Sequence, residues 1–423
     1  MARTAVRGTV RVPGDKSISH RALMLAAIAP GVSRVRGLQG GADVRATAGA
    51  LRALGAEIAE DSDGTHVRGG ALRPPTDALR CENSGTTTRL LAGVAAAQPF
   101  ATRFVGDASL SRRPMARIAD PLGAMGADVR FDEPGARLPM MITGGELTPL
   151  DWTSPSASAQ VKSAILLAGL LGGVEVVVRE PHPSRDHTER MLAARGVDVY
   201  VRDGAVWLPP GQRLASLDVA VPGDPSSAAF FAALAVLSSD GTLMLPDVCL
   251  NPTRTGFFDV LARMGATLDY ADRRAEGGEP VGTVVARSGA ALRGVEIAAA
   301  DVPAMIDELP LLACVAACAD GDTTVRGAAE LRVKESDRIT AVVANLRAVD
   351  VDADELPDGF VVHGRGPRAF RGAVATHGDH RLAMAFGVLG ALAGSDVRID
   401  DPACVDVSYP AFWRDLAGAV VRS

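Results

Sequence analysis

The chain reads as an α/β protein of two similar domains, each built from three βαβαββ repeats, and three observations carry that expectation. A helix end, a small residue and a short strand recur six times, at 54–58 (LGAEI), 125–129 (MGADV), 195–199 (RGVDV), 264–268 (MGATL), 347–351 (RAVDV) and 417–420 (AGAV). The small residue returns after 71, 70, 69, 83 and 70 residues, so six repeats of about 70 residues fill the chain. At 423 residues the protein also exceeds what one hydrophobic core supports. Finally, the turn-rich run 221–227 (VPGDPSS) falls between the third and fourth repeats.

Within the first repeat, apolar alternation at 4–12 predicts a strand, and a 3.6-residue pattern predicts a helix over 17–29. A strand at 33–36, a helix over 43–54 and strands at 56–59 and 65–67 complete the unit. The second repeat follows the same order, with helices near 86–97 and 114–125. Each register mark reads as a helix C-terminus, where glycine takes the left-handed cap before the next strand; Ala348 fits that cap less well. The long fourth interval carries a polar insert around 275–282, read as a surface loop. One repeat alone buries a single face, so three share a core and six make two domains.

Composition narrows the function. A net charge of −6 and 4% aromatic residues lack the basic stripe and stacking rings of a nucleic-acid binder. No apolar run reaches the ~18 residues of a membrane span, and the N-terminus alternates like a strand rather than a signal peptide. Cys81, Cys249, Cys314, Cys318 and Cys404 include no Cys-x-x-Cys pair, which suits packing in a reducing cytoplasm. Only three of the 44 basic residues are lysine, and Lys16, Lys162 and Lys334 each sit in a polar motif where a compact ammonium differs from a planar guanidinium.

Five polar motifs lie where a Gly/Pro/Ser break meets an apolar helix: 13–21 (PGDKSISHR), 83–89 (NSGTTTR), 154–162 (SPSASAQVK), 334–338 (KESDR) and 377–381 (HGDHR). Helix N-termini offer free N–H groups and a positive dipole end, so such places suit polyanionic ligands. The same Ser, Asn and Asp residues also serve as ordinary N-caps. Asp307 opens an apolar helix and Glu335 adjoins Lys334, and a carboxylate beside a lysine near bound phosphate is what proton transfer at carbon and oxygen requires. A cap and a solvated pair are the alternative readings. Ser111-Arg112-Arg113-Pro114 is either a solvated turn or an arginine clamp. His377 and His380 with Asp379, or His182 and His187, lack further ligands at recognised spacing, so neither a metal nor a cofactor is expected.

With these residues in view, the chain resembles the EPSP synthase (3-phosphoshikimate 1-carboxyvinyltransferase) family along nearly its whole length. The segments that carry the resemblance are PGDKSISHR, NSGTTTR, SAQVKSA, RVKESDR and DHRLAM, in the family's order. It implies a two-domain inside-out α/β barrel with domains 14–223 and 1–13 plus 224–423, hinged near 13–15 and 221–225. It implies transfer of the enolpyruvyl group of phosphoenolpyruvate to the 5-hydroxyl of shikimate 3-phosphate by a cytoplasmic monomer without a cofactor. Lys16, Ser17, Arg21, Ser158, Ala159, Gln160, Arg185, Asp307 and Lys334 would then surround shikimate 3-phosphate. Lys16, Gly85, Arg113, Gln160, Arg338 and Arg381 would hold phosphoenolpyruvate. Asp307 would take the hydroxyl proton, Glu335 would protonate the methylene carbon, and Lys16 would assist phosphate departure. Val407 and Glu330 stand where some members carry Lys and Asn, and Ala159 replaces a Ser. Two rivals remain: the related transferase acting on a UDP-linked amino sugar, which carries a reactive Cys absent from 107–117, and a non-catalytic phosphate-binding module.

Overall fold

In the computed structural model, which describes residues 4–421, the chain divides into two contact-dense units. The N-terminal unit comprises Gly14–Val221 and Glu276–Glu279, and the C-terminal unit comprises the chain through Pro13, Pro222–Ala275 and the chain from Pro280. Twelve helices alternate with short strands among the described residues. They are α1 (Lys16–Ile28), α2 (Ala42–Ala53), α3 (Gly85–Ala96), α4 (Ala116–Ala124), α5 (Ala159–Gly172), α6 (His187–Ala193), α7 (Pro225–Leu237), α8 (Gly256–Arg263), α9 (Leu309–Ala316), α10 (Arg338–Ala348), α11 (His380–Ala391) and α12 (Phe412–Ala419).

The first helix of each repeat is apolar around most of its circumference, the second only along one stripe. All of α7 from Pro225 to Val236 is buried, whereas α8 buries Phe257, Phe258, Val260 and Leu261. A helix that is apolar all round belongs inside, and an amphipathic one belongs against a sheet. Accordingly α7, α9 and α11 pack on one another in the C-terminal unit, and α1, α3 and α5 do so in the N-terminal unit. Small residues permit close approach: a methyl on Gly93 of α3 would lie 2.2 Å from the Ala164 carbonyl oxygen of α5. Each unit is thus an inside-out α/β barrel, with helices as the core and sheets around them.

The sheets repeat one pattern: two parallel strands joined through a helix, then an antiparallel hairpin. In the second repeat Leu79–Arg80 runs parallel to Ala101–Val105, which pairs antiparallel with Met140–Thr143 and so reaches Asp128–Phe131. The third and fifth sheets have the same order, and the sixth has only Arg371–Val374 beside Asp396–Ile399.

The opening strand, Ala5–Thr9, pairs parallel with Asp240–Cys249 of the C-terminal unit, and Val219–Ala220 takes the place beside Gly31–Arg36. Two expectations need correction. Left-handed caps occur at Gly55, Gly126, Gly196 and Gly265, but in the fifth repeat the left-handed residue is Asp350 (φ 63°) and not Ala348, which ends α10. Aspartate tolerates that conformation better than alanine because its short polar side chain bonds locally. Gly418 lies inside α12 and caps nothing. Lastly, the insert at 275–282 is no surface loop. It is the tip of the hairpin Thr267–Glu276 and Glu279–Arg287, with Gly277 and Gly278 at positive φ, and Glu279 is buried against His187 Nδ1 at 2.7 Å.

Candidate active site

In the N-terminal unit the motif residues gather at the N-termini of α1, α3 and α5. Asp15 caps α1 by accepting from the Ile18 amide at 2.8 Å, and Lys16, the first helical residue, places Nζ 2.5 Å from Asp43 Oδ2. Asp43 lies in the first turn of α2, and its carbonyl accepts from Thr87 Oγ1 of α3. Ser84 caps α3 and leaves Gly85 as its first residue. A methyl on Gly85 would meet Arg89 Nη1 at 2.9 Å and Arg113 Nη1 at 3.4 Å, so two guanidinium groups converge on this helix start. Arg113 donates to Asn83 Oδ1 at 2.7 Å, and Asn83 in turn donates to Asp107.

Gln160 bridges α5 to α3: it accepts from Arg89 Nη1 at 2.6 Å and donates to Thr86 Oγ1 at 2.9 Å. Ala159 is the first residue of α5 and Ser158 its N-cap, whose amide donates to Glu180 Oε1 at 2.8 Å. Arg21 is buried, and three of its five N–H groups donate to the Ser17 carbonyl, Ser163 Oγ and Thr188 Oγ1. Burial pulls its pKa down to about 10, against the pull of nearby carboxylates, and it remains a cation at neutral pH. Burial also drives the pKa of His20 down to about 3, so this residue is neutral and shares a hydrogen bond with Thr47. Arg185 is half-buried in the segment that leads into α6.

The C-terminal unit gathers the two candidate acids around one guanidinium. Asp307 lies in the 3-10 turn Ile306–Glu308 that precedes α9. Arg338, the first residue of α10 and 1% exposed, places Nη2 2.6 Å from Glu335 and Nη1 3.5 Å from Asp307. Its inner edge meets Asp379 through Nε at 2.7 Å and Nη2 at 3.2 Å. Burial opposes the charge on Arg338, but Asp379 and Glu335 outweigh it and raise the pKa; reciprocally, Arg338 outweighs burial and lowers that of Asp379. Asp379 also caps α11 and accepts from the Arg381 amide. The Arg381 side chain reaches the Asp307 carbonyl at 3.3 Å. Desolvation lowers the pKa of half-buried Lys334, with Asp307 and Glu330 opposing.

Sequence reasoning identified Lys16, Arg21, Gly85, Gln160, Asp307, Glu335 and Arg338, and missed their supports. Asp43, Asn83, Arg89, Thr188 and Asp379 orient Lys16, Arg113, Gln160, Arg21 and Arg338 respectively, from 27 to 167 positions away. Asn83 and Arg89, at the two ends of the NSGTTTR run, and Asp379, within HGDHR, were the readable signals among them. Of the histidines weighed as ligands, His187 is taken up by Glu279, and among the described residues no group of three or more His, Cys, Asp or Glu side chains could hold a metal. The described residues contain no helix long and apolar enough to cross a membrane.

The family model of EPSP synthase (3-phosphoshikimate 1-carboxyvinyltransferase) matches residues 1–416. A 3-phosphoshikimate 1-carboxyvinyltransferase of Xanthomonas oryzae pv. oryzae is 48% identical over 421 residues, covering 98% of this chain and 95% of the relative. The chain belongs to the EPSP synthase family. The solved EPSP synthase of Acinetobacter baumannii superposes with a TM-score of 0.89 at 41% identity, covering 100% of this chain and 98% of that one. The enolpyruvyl transferase NikO of Streptomyces tendae shares the fold alone, with a TM-score of 0.77 at 20% identity and coverage of 99% and 97%. Val407 is half-buried in the turn Pro402–Val407, and Glu330 lies in the turn Ala329–Val333, where its carboxylate adds to the field at Lys334.

Proposed function

We propose that this protein transfers the enolpyruvyl group of phosphoenolpyruvate to the 5-hydroxyl of shikimate 3-phosphate and releases phosphate, a step of the shikimate pathway. The observation that carries this reading is that each family motif falls at a helix N-terminus, with its cation already oriented by a neighbouring side chain. Two multiply charged substrates repel each other, and fixed cations with helix dipoles offset that repulsion without reorganising.

The N-terminal unit contributes Lys16, Ser17, Arg21, Ser158, Ala159, Gln160 and Arg185 to the acceptor, and Lys16, Gly85, Arg113 and Gln160 to phosphoenolpyruvate. The C-terminal unit contributes Asp307 and Lys334 to the acceptor, and Arg338 and Arg381 to phosphoenolpyruvate. As the acceptor oxygen bonds to C2 of phosphoenolpyruvate, Asp307 takes the hydroxyl proton and Glu335 delivers one to the methylene carbon. The product is a tetrahedral intermediate. Loss of a proton from its new methyl group restores the double bond as the C–O bond to phosphate breaks, and Lys16 stabilises the leaving oxygen. Arg338 contacts both Asp307 and Glu335, so one cation sets the orientation of both acids. The five cysteines form no disulfide, which favours a reducing cytoplasm as the site of action, and the family expectation is a monomer.

Phosphate release from phosphoenolpyruvate, measured with and without shikimate 3-phosphate, tests the reading. Release that depends on shikimate 3-phosphate is expected. Turnover with a UDP-linked amino sugar instead would reassign the acceptor, and silence with both would leave a binding module.

A further inference from the structure

Lys162 is the one lysine of the three to which the proposed reaction gives no task. It is 3% exposed, on the second turn of α5, and each of its three N–H groups has an oxygen in reach. Nζ lies 3.0 Å from Glu180 Oε2, 2.8 Å from Glu189 Oε1 and 3.4 Å from the Ser184 carbonyl. Burial alone would lower the Lys162 pKa, but Glu189 and Glu180 outweigh it and raise it. A planar guanidinium does not match three acceptors spread around a compact ammonium, which accounts for lysine here in a chain that otherwise writes arginine.

Glu180 is the member of this cluster that faces outward along the chain. Its Oε1 accepts from the Ser158 amide at 2.8 Å, and its Oε2 accepts from the Ser184 amide at 3.3 Å and from Ser184 Oγ at 2.7 Å. Ser158 heads the segment that carries Ala159 and Gln160, and Ser184 immediately precedes Arg185. One carboxylate therefore ties together the two segments assigned to the acceptor. Glu189 shares the same ammonium, yet its Oε2 has no hydrogen-bond partner and it holds neither segment.

We infer that Glu180 and Lys162 are positioning residues for the phosphorylated acceptor: Glu180 fixes the spacing between the Ser158 and Arg185 segments, and Lys162 anchors Glu180. This rests on the acceptor reading given above. An ion triad kept only for stability would be replaceable by apolar groups at little loss and would favour neither substrate. A positioning triad acts on one substrate.

Glu180→Gln keeps the volume, but an amide nitrogen at the Oε2 position can accept neither from Ser184 nor from Lys162, and at the Oε1 position it cannot accept from Ser158. The KM for shikimate 3-phosphate rises at least tenfold, while the KM for phosphoenolpyruvate and kcat stay within about threefold of the parent, because a hydrogen bond to a charged group contributes about 1.5–3 kcal/mol. Glu189→Gln, which perturbs the same ammonium without touching either segment, leaves the acceptor KM within about threefold. Should Glu180→Gln fail to fold, Ser184→Ala removes only the 2.7 Å hydroxyl bond and raises the acceptor KM about three- to tenfold. An unchanged acceptor KM in Glu180→Gln, or equal rises in both KM values matched by Glu189→Gln, overturns the inference. Arg185→Ala is measured alongside. A raised acceptor KM there with an unchanged one in Glu180→Gln overturns the positioning role alone, and an unchanged KM in Arg185→Ala overturns the acceptor reading itself.

Discussion

Adding one methyl group at Gly85 should weaken phosphoenolpyruvate binding by displacing a guanidinium. Gly85 is the first residue of α3 and its backbone does not require positive φ, so alanine is accommodated by the helix and gains up to about 1 kcal/mol of helix propensity. The new Cβ, however, would stand 2.9 Å from Arg89 Nη1, roughly 0.6 Å inside the ~3.5 Å of ordinary contact. Arg89 must swing away, and its Nη1 is the atom that holds Gln160 Oε1 at 2.6 Å. Losing a hydrogen bond of that charged kind costs about 1.5–3 kcal/mol, or roughly 10- to 100-fold in an equilibrium constant. The Gly85→Ala enzyme should therefore melt below the parent temperature, since the lost bond outweighs the helix gain, while its KM for phosphoenolpyruvate rises tenfold or more. Inhibition by glyphosate, which the family resemblance places at the phosphoenolpyruvate site, should weaken by a similar factor, and the KM for shikimate 3-phosphate, to which Gln160 is also assigned, should rise by a smaller factor. Steady-state kinetics with each substrate varied in turn, and a thermal melt, decide the matter. An unchanged KM and unchanged inhibition would refute the placement of Gly85, and equal rises in both KM values would refute its specificity.

Asp307→Asn and Glu335→Gln should each lower kcat by about 10²–10⁴ while calorimetry finds shikimate 3-phosphate bound within about fivefold of the parent affinity; parallel loss of binding would argue for a binding module. Arg338→Lys keeps the charge but cannot reproduce the fork on Asp379, so urea unfolding should show about 1.5–3 kcal/mol lost, with the KM for phosphoenolpyruvate raised more than that for the acceptor. His20 has a pKa of about 3 when folded against an ordinary 6.5, so between those values only the unfolded chain binds the proton. Stability should fall as pH drops below 6.5, by up to about 1.4 kcal/mol per pH unit from this residue. His20→Gln should show a correspondingly shallower slope in melts between pH 6.5 and 4, and identical slopes would mean that the imidazole is not held neutral.

Local signals carried much of the fold. The apolar periods placed α1 within one residue at each end, because a capping Asp15 and the Gly31 turn bound it on both sides. The motifs of the site were readable for a similar reason: a ligand-facing helix N-terminus needs small residues, a cap and a cation in sequence, and that combination is rare by chance. What the sequence hid was long-range. Nothing local says that Ala5–Thr9 pairs with a strand 235 residues on, or that the Arg338 fork is split between Asp379 on one side and Glu335 and Asp307 on the other. The misplaced cap at Ala348 shows a different limit, since the repeat was aligned by residue size and the backbone was set by Asp350. The insert at 275–282 was polar, and polarity alone does not distinguish a solvated loop from a buried carboxylate with an imidazole partner.

The strand exchange has a consequence for the ribosome. Ala5 is made before both of its partners: the parallel one, Asp240, follows 235 residues later and the antiparallel one, Val421, 416 residues later. At about 5–20 residues per second, the opening strand waits on the order of 10–50 s for its first neighbour while the intervening N-terminal unit is synthesised. An unpaired strand edge is an aggregation hazard over such a time, and charge along it is the usual protection. Arg7 within the strand and Arg11 just beyond it supply that charge, and both remain exposed in the finished protein.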